Sequence, residues 1–129
     1  MVVNEVILEL MVKDVSKTVK FYTEMLGFTL LASEEDDQNQ TYWAKVRFRD
    51  FLMSFKEEKR LRSESQFMAE RQVGGSISIC VVVDEIEPVH AELENQFKML
   101  DYPHLTPCGA TQFSLMDVNG YILTFEKLS

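Results

Sequence analysis

Residues 6–28, VILELMVKDVSKTVKFYTEMLGF, decide the fold that this sequence predicts. The alternating apolar residues at its start are typical of a half-buried β-strand, and they lead into Asp14, a residue type that commonly caps helices. The apolar residues that follow recur at helical spacing, and Gly27 lies where a helix usually ends. A second strand, aspartate and amphipathic helix begin seventy positions later, at Ser76–Asp84 and Ile86–Leu100. This repeat predicts two equivalent halves that enclose a pocket.

Each predicted helix is followed by further strand-like segments. In the first half, the polar loop Ser33–Gln40 precedes two strands, Tyr42–Phe48 and Phe51–Lys56. In the second half, two strands, Thr111–Met116 and Tyr121–Lys127, are joined by a turn-forming tetrapeptide.

The expected fold is therefore α+β, with two βαβββ modules forming a curved mixed sheet around a cavity. We expect one domain over residues 1–129, with module 1 at about 1–57, a linker at about 58–74 and module 2 at about 75–129. The linker is charged, shows a weak helical pattern around Ser65–Gln72 and ends in Gly74-Gly75.

Composition and charge exclude several classes of function. The 129 residues suit one domain, and a net charge of −8 argues against a nucleic-acid partner, which needs a basic face. The longest apolar run, Ile79–Val83, is too short to cross a bilayer, and no basic leader precedes the first strand. Cys80 and Cys108 are not expected to pair, so we expect a cytoplasmic protein.

Short motifs support a family resemblance that spans nearly the whole chain. Val12-Lys13-Asp14 leads to Phe21-Tyr22 and then to Leu26-Gly27-Phe28, and Asp117–Tyr121 forms the final turn. With the order βαβββ-βαβββ, these motifs resemble the vicinal oxygen chelate superfamily, which includes glyoxalase I, extradiol dioxygenases, and fosfomycin and bleomycin resistance proteins. The resemblance implies a homodimer, and it is specific for the fold rather than for one function.

The resemblance also implies four strand positions that hold a divalent metal ion in the family's enzymes. In this sequence they correspond to Ile7, Ser54, Ser78 and Thr124. None of these side chains is a competent ligand for a first-row divalent ion. We therefore expect no metal ion and no other cofactor.

A different set of side chains is expected to line the cavity. Trp43, Lys45 and Arg47 project from one face of a strand whose other face is apolar. A lone tryptophan among charges suits a flat aromatic or cationic small molecule, or else it packs as filler. Glu9 either contacts the ligand or forms an ion pair with Arg47 or Lys45. The predicted ligand-binding residues are Glu9, Trp43, Arg47, Ser54, Phe113 and Thr124.

No catalytic residue can be assigned from the sequence. His90 is expected to pack on the apolar stripe of its helix, and His104 to lie in a surface loop. Nothing near Cys108 identifies a base that would activate its thiol.

Three hypotheses of function follow. The first is a metal-independent small-molecule-binding protein of the bleomycin resistance type. The second is an enzyme, either a lyase, isomerase or dioxygenase whose metal ion has atypical ligands, or one that uses Glu9 or Glu126 as a base. The third is a non-catalytic interaction module whose pocket is filled by its own side chains.

Overall fold

The computed structural model describes residues 1–128, which form two compact units, Met1–Val73 and a second unit that begins at Gly74. Each unit is a βαβββ module with its own four-stranded mixed sheet, which confirms the predicted α+β class and two-module plan. No helix in the described residues is long and apolar enough to span a membrane.

Unit 1, Met1–Val73, contains four strands, two α-helices and one short 3₁₀ helix. The sheet order is β1-β4-β3-β2, with β1 parallel to β4 and the other pairs antiparallel. The elements are β1 (Ile7–Val12), α1 (Val15–Leu26), β2 (Thr29–Glu35), β3 (Thr41–Phe48), β4 (Phe51–Glu57), α2 (Glu58–Glu64) and the 3₁₀ helix Gln66–Met68.

Helix α1 begins and ends where the sequence predicts. The carboxylate of Asp14 accepts a hydrogen bond from the backbone N–H of Lys17 at 2.9 Å, which satisfies one of the free donors of the first turn. Gly27 ends the helix in the left-handed conformation, with φ of +79°.

The core of unit 1 lies between α1 and one face of the sheet. Tyr22 of α1 is fully buried, and its ring lies 5.2 Å from that of Phe55 on β4 and 5.7 Å from that of Phe28. Burying a side chain of this size contributes about 1.5–3 kcal/mol to the free energy of folding. This contact therefore fixes which face of the sheet α1 covers.

The α-helix in the segment after β4 lies earlier than predicted, and the predicted range contains only the short 3₁₀ helix Gln66–Met68. The weak pattern at Ser65–Gln72 suggested the helix there, but α2 occupies Glu58–Glu64 and ends at Ser65. The carboxylate of Glu57 accepts from the backbone N–H of Arg60, and Leu61 is buried. The helix cap and the buried side chain therefore determine where the α-helix forms, rather than the weak helical pattern at Ser65–Gln72.

Unit 2 repeats this topology, with the order β5-β8-β7-β6 and a parallel β5–β8 pair. The elements are β5 (Ser78–Val82), α3 (Ile86–Leu93), β6 (His104–Leu105), β7 (Thr111–Met116) and β8 (Ile122–Lys127).

Helix α3 is shorter than the helix predicted over Ile86–Leu100. After Leu93 the chain turns to run beside β7, where the backbone N–H of Leu100 donates to Ser114 O at 2.9 Å and that of Met116 donates to Lys98 O at 3.2 Å. Pairing with a strand satisfies these backbone groups as a longer helix would, and periodicity alone does not reveal that alternative.

The turn between β7 and β8 packs closely against the start of unit 2. Asp117 Oδ1 accepts from the backbone N–H groups of Asn119 and Tyr121, both at 2.8 Å. A Cβ atom added to Gly74 would lie 2.8 Å from Asn119 O, closer than real Cβ atoms approach. Glycine is therefore needed at position 74 both for its φ of +83° and for space.

We predict that Gly74→Ala destabilises the protein more than Gly27→Ala. Both positions have positive φ, +83° and +79°, but an added Cβ at Gly27 meets nothing within 4 Å. Gly27→Ala should lower the free energy of unfolding by about 1–2 kcal/mol because of backbone strain. Gly74→Ala should lower it by about 1–3 kcal/mol more, because the added Cβ overlaps backbone atoms. Urea denaturation followed by circular dichroism measures both. Equal losses would contradict the close approach at Gly74.

Candidate functional site

The face of the unit 1 sheet opposite α1, called here the far face, brings together most of the residues predicted to bind a ligand. Phe55 faces α1, so its neighbours in sequence, Ser54 and Lys56, point to the far face. The register between β1, β4 and β3 places side chains on the far face in three rows: Ile7–Leu52–Arg47, Glu9–Ser54–Lys45 and Met11–Lys56–Trp43.

This register confirms that Trp43, Lys45 and Arg47 share one face with Glu9 and Ser54. Residues paired across neighbouring strands point to the same side of a sheet, so all five side chains lie on the far face.

The hydrogen-bond partner of Glu9 differs from the expectation. Ser54 Oγ donates to Glu9 Oε2 at 2.8 Å, whereas Lys45 Nζ contacts Glu5 Oε1 at 2.8 Å. Strand β4 lies between β1 and β3, so Ser54 is the immediate neighbour of Glu9 in its row. Of the two alternatives expected for Glu9, the ion pair with Lys45 or Arg47 is therefore not formed, and the ligand contact stays a prediction.

The second lysine of the far face is also paired. Lys56 Nζ contacts Glu64 Oε1 of α2 at 2.7 Å. This hydrogen bond raises the pKa of Lys56 and lowers the pKa of Glu64. The charge of Lys56 is therefore largely compensated within unit 1.

Arg47 differs from both lysines because its guanidinium makes no ion pair or hydrogen bond within residues 1–128. Its side chain is exposed, whereas Trp43 is half-buried. Trp43 is paired in register with Lys56 on one side and with Glu34 on the other. The charged ends of these two side chains contact Glu64 and Tyr42, respectively.

The corresponding face of unit 2 carries Thr124, together with hydroxyl and thiol groups. Thr124 Oγ1 and Ser114 Oγ lie 2.8 Å apart, and Cys80 pairs with Thr124 in the parallel register. The Cys80 thiol donates to Glu126 Oε2 at 3.4 Å. Burial raises the pKa of Cys80, and the contact with Glu126 raises it further.

Phe113 lies on the opposite side of the unit 2 sheet from Thr124. It is fully buried, stacks on Phe125 with ring centroids 5.2 Å apart, and meets the His90 ring edge-on at 5.0 Å. It is a core side chain with no exposed surface to offer a ligand. The prediction that Phe113 faces a ligand was therefore wrong.

Both histidines belong to unit 2. His90 packs in the core as predicted, with Nδ1 3.7 Å from Glu94 Oε2 and with Nε2 buried and unpartnered. His104 was predicted in a loop but lies on β6, paired with Gln112 at the sheet edge. Its Nδ1 lies 2.8 Å from Tyr102 O. The two-residue strand β6 is too short to produce a detectable alternation in the sequence.

Unit 1 also contains a polar groove of about 740 Å³ that the sequence did not predict. Its carboxylates form hydrogen bonds within the local structure: Asp14 caps α1, Glu57 caps α2, and Asp36 Oδ1 accepts from two backbone N–H groups of its own turn.

At the edge of this groove the Arg60 guanidinium stacks 3.7 Å from the centre of the Tyr42 ring. The hydrogen bond to Glu34 raises the pKa of Tyr42. The groove is lined by Lys13, Asp14, Val15, Ser16, Asp36, Gln38, Gln40, Thr41, Tyr42, Glu57, Lys59, Arg60 and Ser63.

Across residues 1–128, no group of three His, Cys, Asp or Glu side chains has an arrangement that could hold a metal ion. Cys80 and Cys108 are both free thiols.

Comparison with known proteins gives a family and a fold. Residues 4–125 match the family model described as the Glyoxalase/Bleomycin resistance protein/Dioxygenase superfamily. A search of curated proteins gives no match.

Three solved structures illustrate the likeness in fold. A glyoxalase-related enzyme from Fulvimarina pelagi has a TM-score of 0.78 at 16% identity, covering 98% of this chain and 89% of that one. A superfamily member from Sphaerobacter thermophilus has a TM-score of 0.74 at 19% identity, covering 99% of each chain. An antibiotic binding protein from a Streptomyces species has a TM-score of 0.68 at 22% identity, covering 99% of this chain and 98% of that one.

We predict that the contact with Glu126 slows alkylation of Cys80. In a Cys108→Ser background, Glu126→Gln removes the carboxylate, so the pKa of Cys80 should fall and the thiolate fraction at pH 8 should rise. Mass spectrometry of the iodoacetamide reaction should show faster modification. Glu92→Gln, an exposed carboxylate on α3, is the control and should leave the rate unchanged. No acceleration in Glu126→Gln would mean that burial alone controls this thiol.

Proposed function

This chain belongs to the Glyoxalase/Bleomycin resistance protein/Dioxygenase superfamily, and on that premise we propose that it is a metal-independent small-molecule-binding protein. The observation that carries the proposal is the far face of unit 1, where Trp43 and Arg47 share a surface with Glu9. A half-buried indole supplies a flat apolar surface, and the charged groups beside it supply orientation.

The chemistry of the family's metal positions supports metal independence. Ile7 has an alkyl side chain, and Ser54, Ser78 and Thr124 have hydroxyls, which are weak ligands for first-row divalent ions. Two of the hydroxyls are engaged elsewhere, because Ser54 donates to Glu9 and Thr124 bonds to Ser114. The four residues therefore do not fit a divalent metal ion.

The proposed ligand is a small molecule with a flat aromatic or cationic part. Trp43 attracts such groups through stacking or cation–π contact. The similar Streptomyces structure is that of an antibiotic binding protein, which supports a binding role for this fold.

The remaining expectations are also proposals. We propose a homodimer because the family resemblance implies one. We propose a cytoplasmic location because both cysteines are free thiols, which a reducing compartment preserves.

We predict that ligand binding changes the fluorescence of Trp43, the only tryptophan of the chain. A panel of aromatic cations and aromatic metabolites should contain compounds that give a saturable change. Calorimetry should show that Trp43→Ala weakens binding by about tenfold, the loss expected for one aromatic contact. Phe67→Ala, at an exposed aromatic in the segment after α2, is the matched control and should bind normally. A panel without a saturable response would contradict the proposed function.

We also predict that the purified protein does not retain divalent metal. After incubation with nickel, zinc or manganese and dialysis, elemental analysis should find far less than one ion per two chains. The thermal unfolding midpoint should not change on metal addition, because a bound ion would stabilise the folded state. Stoichiometric retention would overturn metal independence and favour the enzyme hypothesis.

A further inference from the structure

We propose that the ligand of the far face of unit 1 is amphoteric, with an acidic group bound by Arg47, a basic group bound by Glu9 and an aromatic body on Trp43. This inference rests on the proposed function and goes further by assigning the charges of the ligand.

The first step concerns the two lysines of this face. Lys45 is paired with Glu5 at 2.8 Å, and Lys56 is paired with Glu64 at 2.7 Å. The side chains of both lysines are only 20% exposed. A carboxylate already compensates the charge of each ammonium group, so neither lysine offers an unpaired positive charge to an anionic ligand.

The second step identifies the cation that remains available. The Arg47 guanidinium has five N–H donors in a planar fork, and none is engaged within residues 1–128. Its row partner on β4 is Leu52, which cannot pair with it. A carboxylate, phosphate or sulfonate group matches this fork through two parallel hydrogen bonds.

The third step identifies the available anion. Glu9 Oε2 accepts from Ser54 Oγ, and Ser54 is only 2% exposed. This bond fixes the orientation of the carboxylate and leaves Oε1 without a hydrogen bond within the described chain, with the charge of Lys56, already paired with Glu64, nearby. Glu9 is exposed, so an ammonium or amidinium group on the ligand can donate to Oε1.

The spacing of the three groups sets the size of the ligand. Trp43 and Arg47 are four residues apart on β3, which corresponds to ~13 Å between Cα atoms. Glu9 lies two strands away in the row between them, ~12 Å from each by strand and sheet spacing. A drug-sized molecule spans these distances, whereas a single amino acid does not.

Charge balance disfavours a ligand with only one sign of charge. A purely anionic molecule is repelled by the Glu9 carboxylate and by the net charge of −8 on the chain. A purely cationic molecule leaves the exposed Arg47 unpaired beside it. An amphoteric molecule satisfies both groups.

The test uses three rigid probes that share one ring system. They are 4′-(aminomethyl)biphenyl-4-carboxylic acid, its methyl ester, which keeps only the cation, and its N-acetyl derivative, which keeps only the anion. Calorimetry and Trp43 fluorescence measure their binding to the full chain. We expect the amphoteric probe to bind about tenfold more tightly than either derivative, the order of one charge-assisted contact.

Two amide variants assign each charge. Arg47→Gln should remove the preference for the acid over its methyl ester. Glu9→Gln should remove the preference for the free amine over its N-acetyl derivative. Lys59→Gln, which changes an exposed lysine outside the far face, is the control and should keep both preferences. Circular dichroism should show that all three variants are folded, because each replaces an exposed side chain.

The outcomes separate this inference from the proposed function. Equal binding of the three probes overturns the amphoteric assignment while supporting the binding role of Trp43. If the probes do not bind but the wider panel still changes the fluorescence of Trp43, the assignment is overturned and the binding function stands. If no compound binds in either experiment, both proposals are overturned.

Discussion

The parallel pairing between the first and last strands of each unit is the constraint on which the rest of the structure depends. Parallel neighbours require a crossover, and in unit 1 the helix of that crossover covers one face of the sheet. The same pairing aligns Glu9 with Ser54 in unit 1 and Cys80 with Thr124 in unit 2. The identity of the side chains next to each other on the far face therefore follows from backbone pairing.

Local patterns were sufficient to predict the parts of the fold that are determined locally. The bounds of α1 follow from an aspartate cap, a 3.6-residue apolar period and a terminal glycine, and all three are visible in the sequence. Strand alternation likewise placed Trp43, Lys45 and Arg47 on one face, because the side-chain period of a strand is two. The two-module plan follows from the repetition of these local signals.

Features that depend on distant partners could not be predicted in this way. Helix α3 is short because residues 98–100 pair with β7, and the pairing partner lies in another part of the sequence. The ion pairs of Lys45 and Lys56 depend on Glu5 and Glu64, whose positions follow from the start of the chain and from α2. Phe113 is a different case, because its partner strand follows directly in the sequence: in the β7–β8 hairpin it pairs with Phe125 and so lies on the core face, opposite to Thr124.

The two units share a topology but differ in the chemistry of equivalent positions. The central row of unit 1 contains Glu9 and Lys45, which carry opposite charges and lie on either side of Ser54, whereas its counterpart in unit 2 contains Cys80, Thr124 and Ser114, which are neutral. Equivalent positions of a duplicated scaffold can carry different chemistry, because the backbone register fixes which positions are neighbours and leaves the side chains free to differ. Local chemistry must therefore be derived separately for each unit, from its own side chains.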